Sequence, residues 1–578
     1  MSLPVWLKSR LLKRLGWVIS QAYVFQLKSP SKWDVFQSVV IFSIRSGYRR
    51  SRVLTWHGVK QCLQQQGVSG LQHRYPIRRW LSIGFILIQQ GQLAAAVCLV
   101  RAFRERTPQL TRRERNAILR LLHSANACDD MYDVMTQSTS ATPLEEVDLV
   151  NMPAVLFHFF EKLHAPVVQL QDRIPNRLCY ILHMSLPHTS VGYATRSHGI
   201  ILGLQKAGWD VIAVTRPGFP KGNDQEADQV EGVTYHRVGL SRIVGENTAA
   251  YVEESAAVWR AYFETVRPAC VVAASNYRTA LPALVAARAL GIPFVYEVRG
   301  FWELTRSVIY PFFSKTVLFH MMQRVETRLC QESDSVLTLT HAMCTELQKR
   351  GVPRATIHLI PNACDLTRFV MRPRDRHLMQ KLGIPEAAPV VGYVGTLLEY
   401  EGLDDLIEAS IALYREGLSF YVLLVGNEGA SRMGMVLPRL RRRMEQAGFS
   451  QYFITPGRVP HHEVAAYYSL IDICPFPRKP YAVCEAVSPL KPLEALAMQK
   501  AVLVSSVAPL LEMITHEATG LVFEKGSVVD LGLQLKRFLL DPALRTRCGL
   551  AGCQWVNAER SWERVTDVMG EVLRDCIS

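Results

Sequence analysis

The sequence predicts two doubly wound α/β domains facing a cleft, preceded by an α-helical N-terminal region. Two observations carry this. From about Arg177 onward, apolar strand-like runs alternate with helical patterns, as in parallel sheets with crossover helices, and the alternation stops and starts again. Ahead of it, residues 1–170 show only helical periodicity.

In the first α/β series, Leu178–Met184 reads as a strand, Gly192–Ala207 as a helix ended by Gly208, and Val211–Thr215 as the next strand. Apolar runs at Cys270–Ala274 and Pro293–Val298, separated by the alanine-rich helix Leu281–Leu290, extend it to residue 366. The arginine-rich segment Thr367–His377 interrupts the pattern, and a second series spans 388–565. Its expected strands are Val390–Val394, Tyr421–Val425, Tyr452–Thr455, Asp472–Pro475 and Ala501–Ser505. The helices between and after them are expected near Leu403–Arg415, Met433–Ala447, His461–Ser469, Pro492–Met498 and Pro509–Thr515. Two such domains leave a cleft beside the carboxyl ends of both sheets, where open α/β folds bind ligands.

With 578 residues, 49% hydrophobic and 20% charged, the chain is globular, too long for one core and too apolar for disorder. Thirteen scattered cysteines form no zinc-spaced pairs and no short disulfide framework, which favours a reducing compartment. No secretory signal is evident, so a cytoplasmic location is expected.

The net charge of +15 is uneven: residues 1–120 hold 21 Lys and Arg against three acids (Asp34, Glu105, Glu114), a local +18 that leaves the remainder at −3. Lys8, Arg10, Lys13 and Arg14 interleave with Trp6, Leu11, Leu12, Leu15, Trp17 and Val18, the pattern of an interfacial helix meeting anionic lipid. A merely solvated basic face is the alternative. Nucleic acid is not expected as a partner, because no nucleic-acid module follows. Leu81–Val100 is strongly apolar, but Gln89, Gln90 and Gln92 in its middle argue against a membrane span. Trp80, Ile83, Gly84, Leu87, Gly91, Ala96 and Pro108 suit one tetratricopeptide-type hairpin or two ordinary packed helices.

Two constellations carry chemistry. In Val487–Met498 (VSPLKPLEALAM) a loop enters a helix, so amides of Ser488, Pro489, Leu490 and Lys491 stand at its positive end, where only proline lacks an N–H. Lys491 adds a full charge and Glu494 lies on the first turn within reach of a sugar diol. An ordinary helix start with Pro and Glu in its first turn fits the same residues. In Val391–Asp404, a strand is followed by the Gly395 turn, Thr396 and a loop into a helix, an arrangement that also suits a simple packed turn.

These segments, together with Pro361–Asp365, Leu424–Gly426, Gly457–Pro460 and Thr519–Phe523, resemble in order and spacing the C-terminal domain of glycosyltransferase family 4. Pro187–Arg196 is similar to the family's glycine-bearing first loop and Val295–Glu303 to a later cleft loop; the resemblance covers residues 177–565. It implies a GT-B fold of two Rossmann-like domains, with an acceptor domain at 177–366, a nucleotide-sugar donor domain at 388–565, and often a C-terminal helix crossing back. It also implies metal-independent transfer with retention, from a nucleotide diphosphate sugar to a hydroxyl of a glycan or lipid-linked glycan. The setting expected is cell-surface polysaccharide assembly on the inner face of the cytoplasmic membrane. No cofactor beyond the sugar nucleotide is implied.

By this resemblance Lys491 and the Ser488–Leu490 loop meet the leaving diphosphate, and Glu494 binds the ribose. Gly192, Gly395 and Thr396 line the nucleotide-sugar site. Arg299 is either a cation near the donor or a strand-end arginine paired with Glu297 or Glu303. The usual E-x7-E pattern is broken, because Ala486 stands where the first acid belongs and Glu485 is one position early. Thr396 and Glu401 replace the Arg and Lys of many members, leaving Arg458 and Arg478 as helpers to Lys491. An S-P-L-K variant subgroup shares this arrangement. The alternatives are a nucleotide-sugar 2-epimerase of the same fold and a non-catalytic glycan-assembly subunit. His183 and His188 are cleft candidates, and Glu326 and Asp334 read as helix-surface charges.

Overall fold

The computed structural model describes residues 56–89, 92–106, 118, 156–164, 167–220, 225–239, 248–309, 313–315, 317–428 and 436–578. The chain divides into two compact units, residues 1–130 and 131–578.

In the first unit, helices Trp80–Gln89 and Leu93–Arg106 pack together behind helix Trp56–Arg74, which is kinked at Gly67. Trp80, Ile83, Leu87, Ala96 and Leu99 are buried, and the Trp80 indole donates to the Tyr75 carbonyl at 2.9 Å. The expected lipid-facing helix at residues 6–18, and Gly91 and Pro108 of the hairpin pattern, lie outside the described residues. No described helix is long and apolar enough to cross a membrane.

The second unit holds two sheets. The first has strand order β3-β4-β2-β1-β5-β6-β7-β8, with β1 Ile174–Leu182, β2 Asp210–Thr215, β3 Ala227–Val230, β4 Val233–Arg237, β5 Pro268–Ala274, β6 Phe294–Val298, β7 Ser335–Thr338 and β8 Ile357–Leu359. Only the β3–β4 pairing is antiparallel. Its two faces feed separate cores, as the two-residue period of a strand requires: Leu178, Tyr180 and Leu182 of β1 pack on one side, Cys179 and Ile181 on the other.

The second sheet is wholly parallel, in the order β11-β10-β9-β12-β13-β14, with β9 Val390–Val394, β10 Tyr421–Val425, β11 Phe453–Gly457, β12 Ile473–Phe476, β13 Ala501–Ser505 and β14 Leu521–Phe523. These are two parallel-sheet α/β domains, as the alternation predicts.

Helix Trp562–Ile577, at the C-terminal end, crosses back to the first sheet. Trp562, Val565, Met569 and Leu573 join the core beneath helix Gly192–Lys206. The approach is close because Gly199 and Gly203 have no side chain there: a β-carbon on Gly199 would sit 2.2 Å from the Trp562 ring.

One charge reading is corrected. Glu326 is buried, accepting hydrogen bonds from the Tyr296 hydroxyl and the Tyr277 amide, because its helix turns that position toward the sheet. Asp334 is exposed, as read, and also accepts from the Phe294 amide at 2.7 Å and pairs with Arg288 at 2.8 Å.

Candidate functional site

The carboxyl ends of β9 and β12 and the amino end of the helix Lys491–Ala497 converge on one group of side chains. The Gly395 turn follows β9 with φ of +150°, and a β-carbon there would lie 2.2 Å from Lys491 Cε. Only glycine permits both the backbone angle and the lysine's path. Lys491 Nζ donates to the Tyr393 hydroxyl and to Glu401 Oε1 at 3.1 Å.

Glu401 is the residue that motif reading misjudges. Expected only as a loss of positive charge, it is 3% exposed and stands between Lys491 and the buried Arg478, whose Nε lies 3.7 Å from its second oxygen without a hydrogen bond. Burial works to raise the Glu401 pKa, but Lys491 and then Arg478 outweigh it and hold the carboxyl below its ordinary range. Two cations around one carboxylate leave one net positive charge beside the Gly395 turn, which suits an anion.

Arg478 is not placed as a direct anion ligand. Its guanidinium donates to the Val487 carbonyl at 2.7 Å, and its own carbonyl accepts from Ser505, so it braces the loop that begins at Val487. Arg458 is exposed and reaches the Ser190 hydroxyl of the other domain at 3.1 Å. Gly192 opens the helix after the Ser190 loop, and a β-carbon on it would meet the Leu490 side chain at 3.5 Å, an ordinary contact. The Thr396 carbonyl accepts from the Tyr393 hydroxyl at 3.1 Å, which orders the turn.

The Ser488–Leu490 loop enters a seven-residue helix whose Pro492 lies at its start and which has no side-chain N-cap. Glu494, half-buried on its first turn, accepts from the Tyr468 hydroxyl at 3.1 Å; burial pushes its pKa up against that bond. Ala486 contributes its carbonyl to Thr340 of the first domain at 2.7 Å. Glu485, one position early for the motif, is tied to Lys525 at 2.6 Å and to the Ala508 amide, away from Lys491's group.

For Arg299 the geometry selects the strand-end reading. It pairs with Glu297 at 2.7 Å, donates to the Tyr180 and Ser197 hydroxyls and the Tyr193 carbonyl, and lies over the Tyr193 ring. A guanidinium so committed stands behind the first loop as a positioning group, the second of its two readings, and not as a cation open to the donor. Glu303, its other candidate partner, pairs with Arg350 at 2.8 Å. Burial opposes the Glu297 charge, but Arg299 and Arg196 hold its pKa down at about 2.

Sequence reading also undervalued Arg196 and Asn362. Arg196 pairs with Glu297 at 2.9 Å and donates to Asn362 Oδ1 and to the Ile360 and Pro361 carbonyls. Asn362 in turn donates to Ser488. A polar chain thus runs from the buried acid of one domain to the Ser488–Leu490 loop of the other. Its signal was the PNACD segment, but only folding shows what its asparagine touches.

Paired parallel-sheet domains, bridged at a cleft with a cationic loop on one side, define a GT-B glycosyltransferase. Residues 191–363 match the family model described as a glycosyl transferase 4-like domain, and residues 375–555 that of glycosyl transferases group 1. The chain belongs to the family 4 glycosyltransferases.

It is 27% identical over 280 residues to the 2-deoxystreptamine glucosyltransferase of Streptomyces kanamyceticus, covering 48% of this chain and 68% of that one. A GDP-mannose-dependent alpha-(1-6)-phosphatidylinositol monomannoside mannosyltransferase of Mycobacterium tuberculosis is 25% identical over 224 residues, or 38% of this chain; the match spans only 57% of that relative's length. Among solved structures, sucrose-phosphate synthase of Thermosynechococcus elongatus superimposes with a TM-score of 0.58 at 21% identity, over 69% of this chain and 98% of that one. HepE of Anabaena, in complex with UDP and glucose, superimposes with 0.55 at 14% identity, over 69% and 99%. These likenesses establish the fold.

Proposed function

We propose that this glycosyltransferase is a retaining, metal-independent enzyme that moves a sugar from a nucleotide diphosphate sugar to a hydroxyl of a glycan or lipid-linked glycan. The observation that carries the reading is the Lys491 ammonium, threaded over the Gly395 turn with one net positive charge in its group. In this reading the second domain binds the donor, Lys491 meets the diphosphate and Glu494 the ribose, while Arg458 and Ser190 span the cleft.

The chemistry is a same-face displacement. The acceptor oxygen bonds to the anomeric carbon as that carbon's bond to the diphosphate oxygen breaks, and the departing phosphate takes the acceptor's proton. Negative charge then grows on the leaving group, where a fixed ammonium is worth most. A role in cell-surface polysaccharide assembly, at the inner face of the cytoplasmic membrane, is supported by the basic N-terminal arm and by the lipid-linked acceptor named for the mycobacterial relative.

The test is release of nucleotide diphosphate from UDP-, GDP- and ADP-sugars, with and without a membrane glycolipid extract, in wild type, Lys491→Ala and Glu494→Ala. Acceptor-dependent release abolished by Lys491→Ala supports transfer, and analysis of the product's anomeric configuration decides retention. Conversion of a donor to its 2-epimer without acceptor would replace this reading with an epimerase. Donor binding without turnover under any acceptor would indicate an assembly subunit.

A further inference from the structure

On the opposite, first-domain side of the cleft, four neighbouring strands of the sheet end in a second group that the donor chemistry does not use. His183 follows β1, Arg216 follows β2, Arg278 stands in the first turn of the helix after β5, and Trp302 opens the helix after β6. The His183 ring lies edge-on to Trp302, with centroids 5.5 Å apart, and its Nδ1 is 2.9 Å from the Thr279 hydroxyl. Arg278 lies over the Tyr251 ring at 5.4 Å, and the Tyr251 hydroxyl donates to the carbonyl of Pro217, the residue after Arg216. The two guanidiniums are therefore held on one wall.

Their neighbours are ion-paired: Arg237 with Asp228 at 2.6 Å, and Arg196 and Arg299 both with Glu297. Arg216 and Arg278 form no ion pair among the described residues, and the buried Arg216 Nε has no hydrogen-bond partner. Both press on His183, whose pKa is lowered to about 3, first by burial and then by Arg216 and Arg278, so the ring between them stays neutral. A buried guanidinium nitrogen without a partner, as at Arg216, is costly unless an anion completes it, and the exposed Arg278 beside the same ring is placed to share that anion. Planar forks from two sides match the two charges and several oxygens of a phosphate better than a single carboxylate or a neutral hydroxyl. The Trp302 ring, 39% exposed, offers a flat apolar face to the sugar beside it.

We propose that the acceptor carries a phosphate, bound by Arg216 and Arg278, with its sugar against Trp302. This rests on the glycosyltransferase reading and names its acceptor class.

The test uses the full chain saturated with whichever of UDP, GDP and ADP it binds, so that the donor loop is occupied. Glycerol phosphate is titrated calorimetrically, and co-sedimentation is measured with phosphatidylcholine vesicles with and without phosphatidic acid. Wild type is compared with Arg278→Gln alone and with the Arg216→Gln, Arg278→Gln pair. Neither arginine holds an ion pair, and unchanged melting temperature and nucleotide affinity establish that the variants are intact.

Glycerol phosphate affinity at least tenfold weaker in the double variant supports the proposal and places the phosphate on a soluble glycan. Binding seen only with phosphatidic acid vesicles, and reduced by the double substitution, supports it with a lipid-borne phosphate. If neither probe's binding depends on the two arginines, the proposal is overturned. Failure of wild type to bind any of UDP, GDP and ADP overturns the donor reading instead, and the same titrations run without nucleotide still decide the phosphate site.

Discussion

The Asn362 amide donates to the Ser488 carbonyl at 2.9 Å and to its hydroxyl at 3.1 Å, joining the last segment of the first domain to the Ser488–Leu490 loop of the second. The orientation is unambiguous: a carbonyl can only accept, and Arg196, bonded to the other amide atom at 3.1 Å, can only donate. Ser488 is thereby positioned by Glu297 through two intermediaries.

Asn362→Ala removes this link and leaves a buried carbonyl and part of a guanidinium unpaired, a cost of about 1–3 kcal/mol. Transfer measured as kcat/KM is expected to fall about tenfold or more, with UDP affinity changed less. Asn362→Asp should do no better, since a carboxylate would face the Ser488 carbonyl. Full activity in Asn362→Asp would show that the link is dispensable.

Glu401→Gln separates charge balance from contact. It keeps the shape but leaves Lys491 and Arg478 without their counter-charge, and breaking a buried ion pair costs about 3–5 kcal/mol. Melting temperature should drop while UDP binds as tightly as in wild type or more so. Lys491→Ala should show weakened UDP binding. Calorimetry on both variants checks this; parallel losses of UDP affinity would contradict the assignment.

Gly199→Ala places a methyl group 2.2 Å from the rigid Trp562 ring. Overpacking of this kind costs about 1–3 kcal/mol. Denaturant unfolding should detect it, and adding Trp562→Leu should recover part of the loss. Absence of any recovery would mean that the returning helix is not where the strain lies.

Glu326 supplies a pH signature. Burial raises its pKa from 4.5 to about 7, against the hydrogen bonds from Tyr296 and Tyr277, so the folded protein holds a proton that the unfolded chain releases. Its contribution to stability is complete below about pH 4.5 and is lost as pH rises toward about 7. Glu326→Gln, which never ionises, should melt higher than wild type at pH 8 and nearly the same at pH 4.5. An equal difference at both pH values would exclude ionisation of Glu326 as the cause.

Much of this protein was legible along the chain because it is local. The strands Val390–Val394, Tyr421–Val425 and Ala501–Ser505 and the helix Leu403–Arg415 coincide with their apolar patterns, since period and turn residues act over a few positions. The cationic loop at Lys491 and its glycine partner turn were readable as motifs. The short strands β3, β4, β7 and β8 carried too little pattern to find.

What the tertiary structure alone decided was how charges pair. Arg299 was open between a donor-site cation and a strand-end pair and is committed to Glu297; Glu401 looked like a missing cation and is the counter-ion of Lys491; Glu326 looked solvated and is buried. Apart from Arg299 and Glu297, which are two positions apart, these partners lie tens of residues or more apart in sequence. The worth of a charge depends on the dielectric and the partners that folding supplies, and neither is written in its neighbours along the chain.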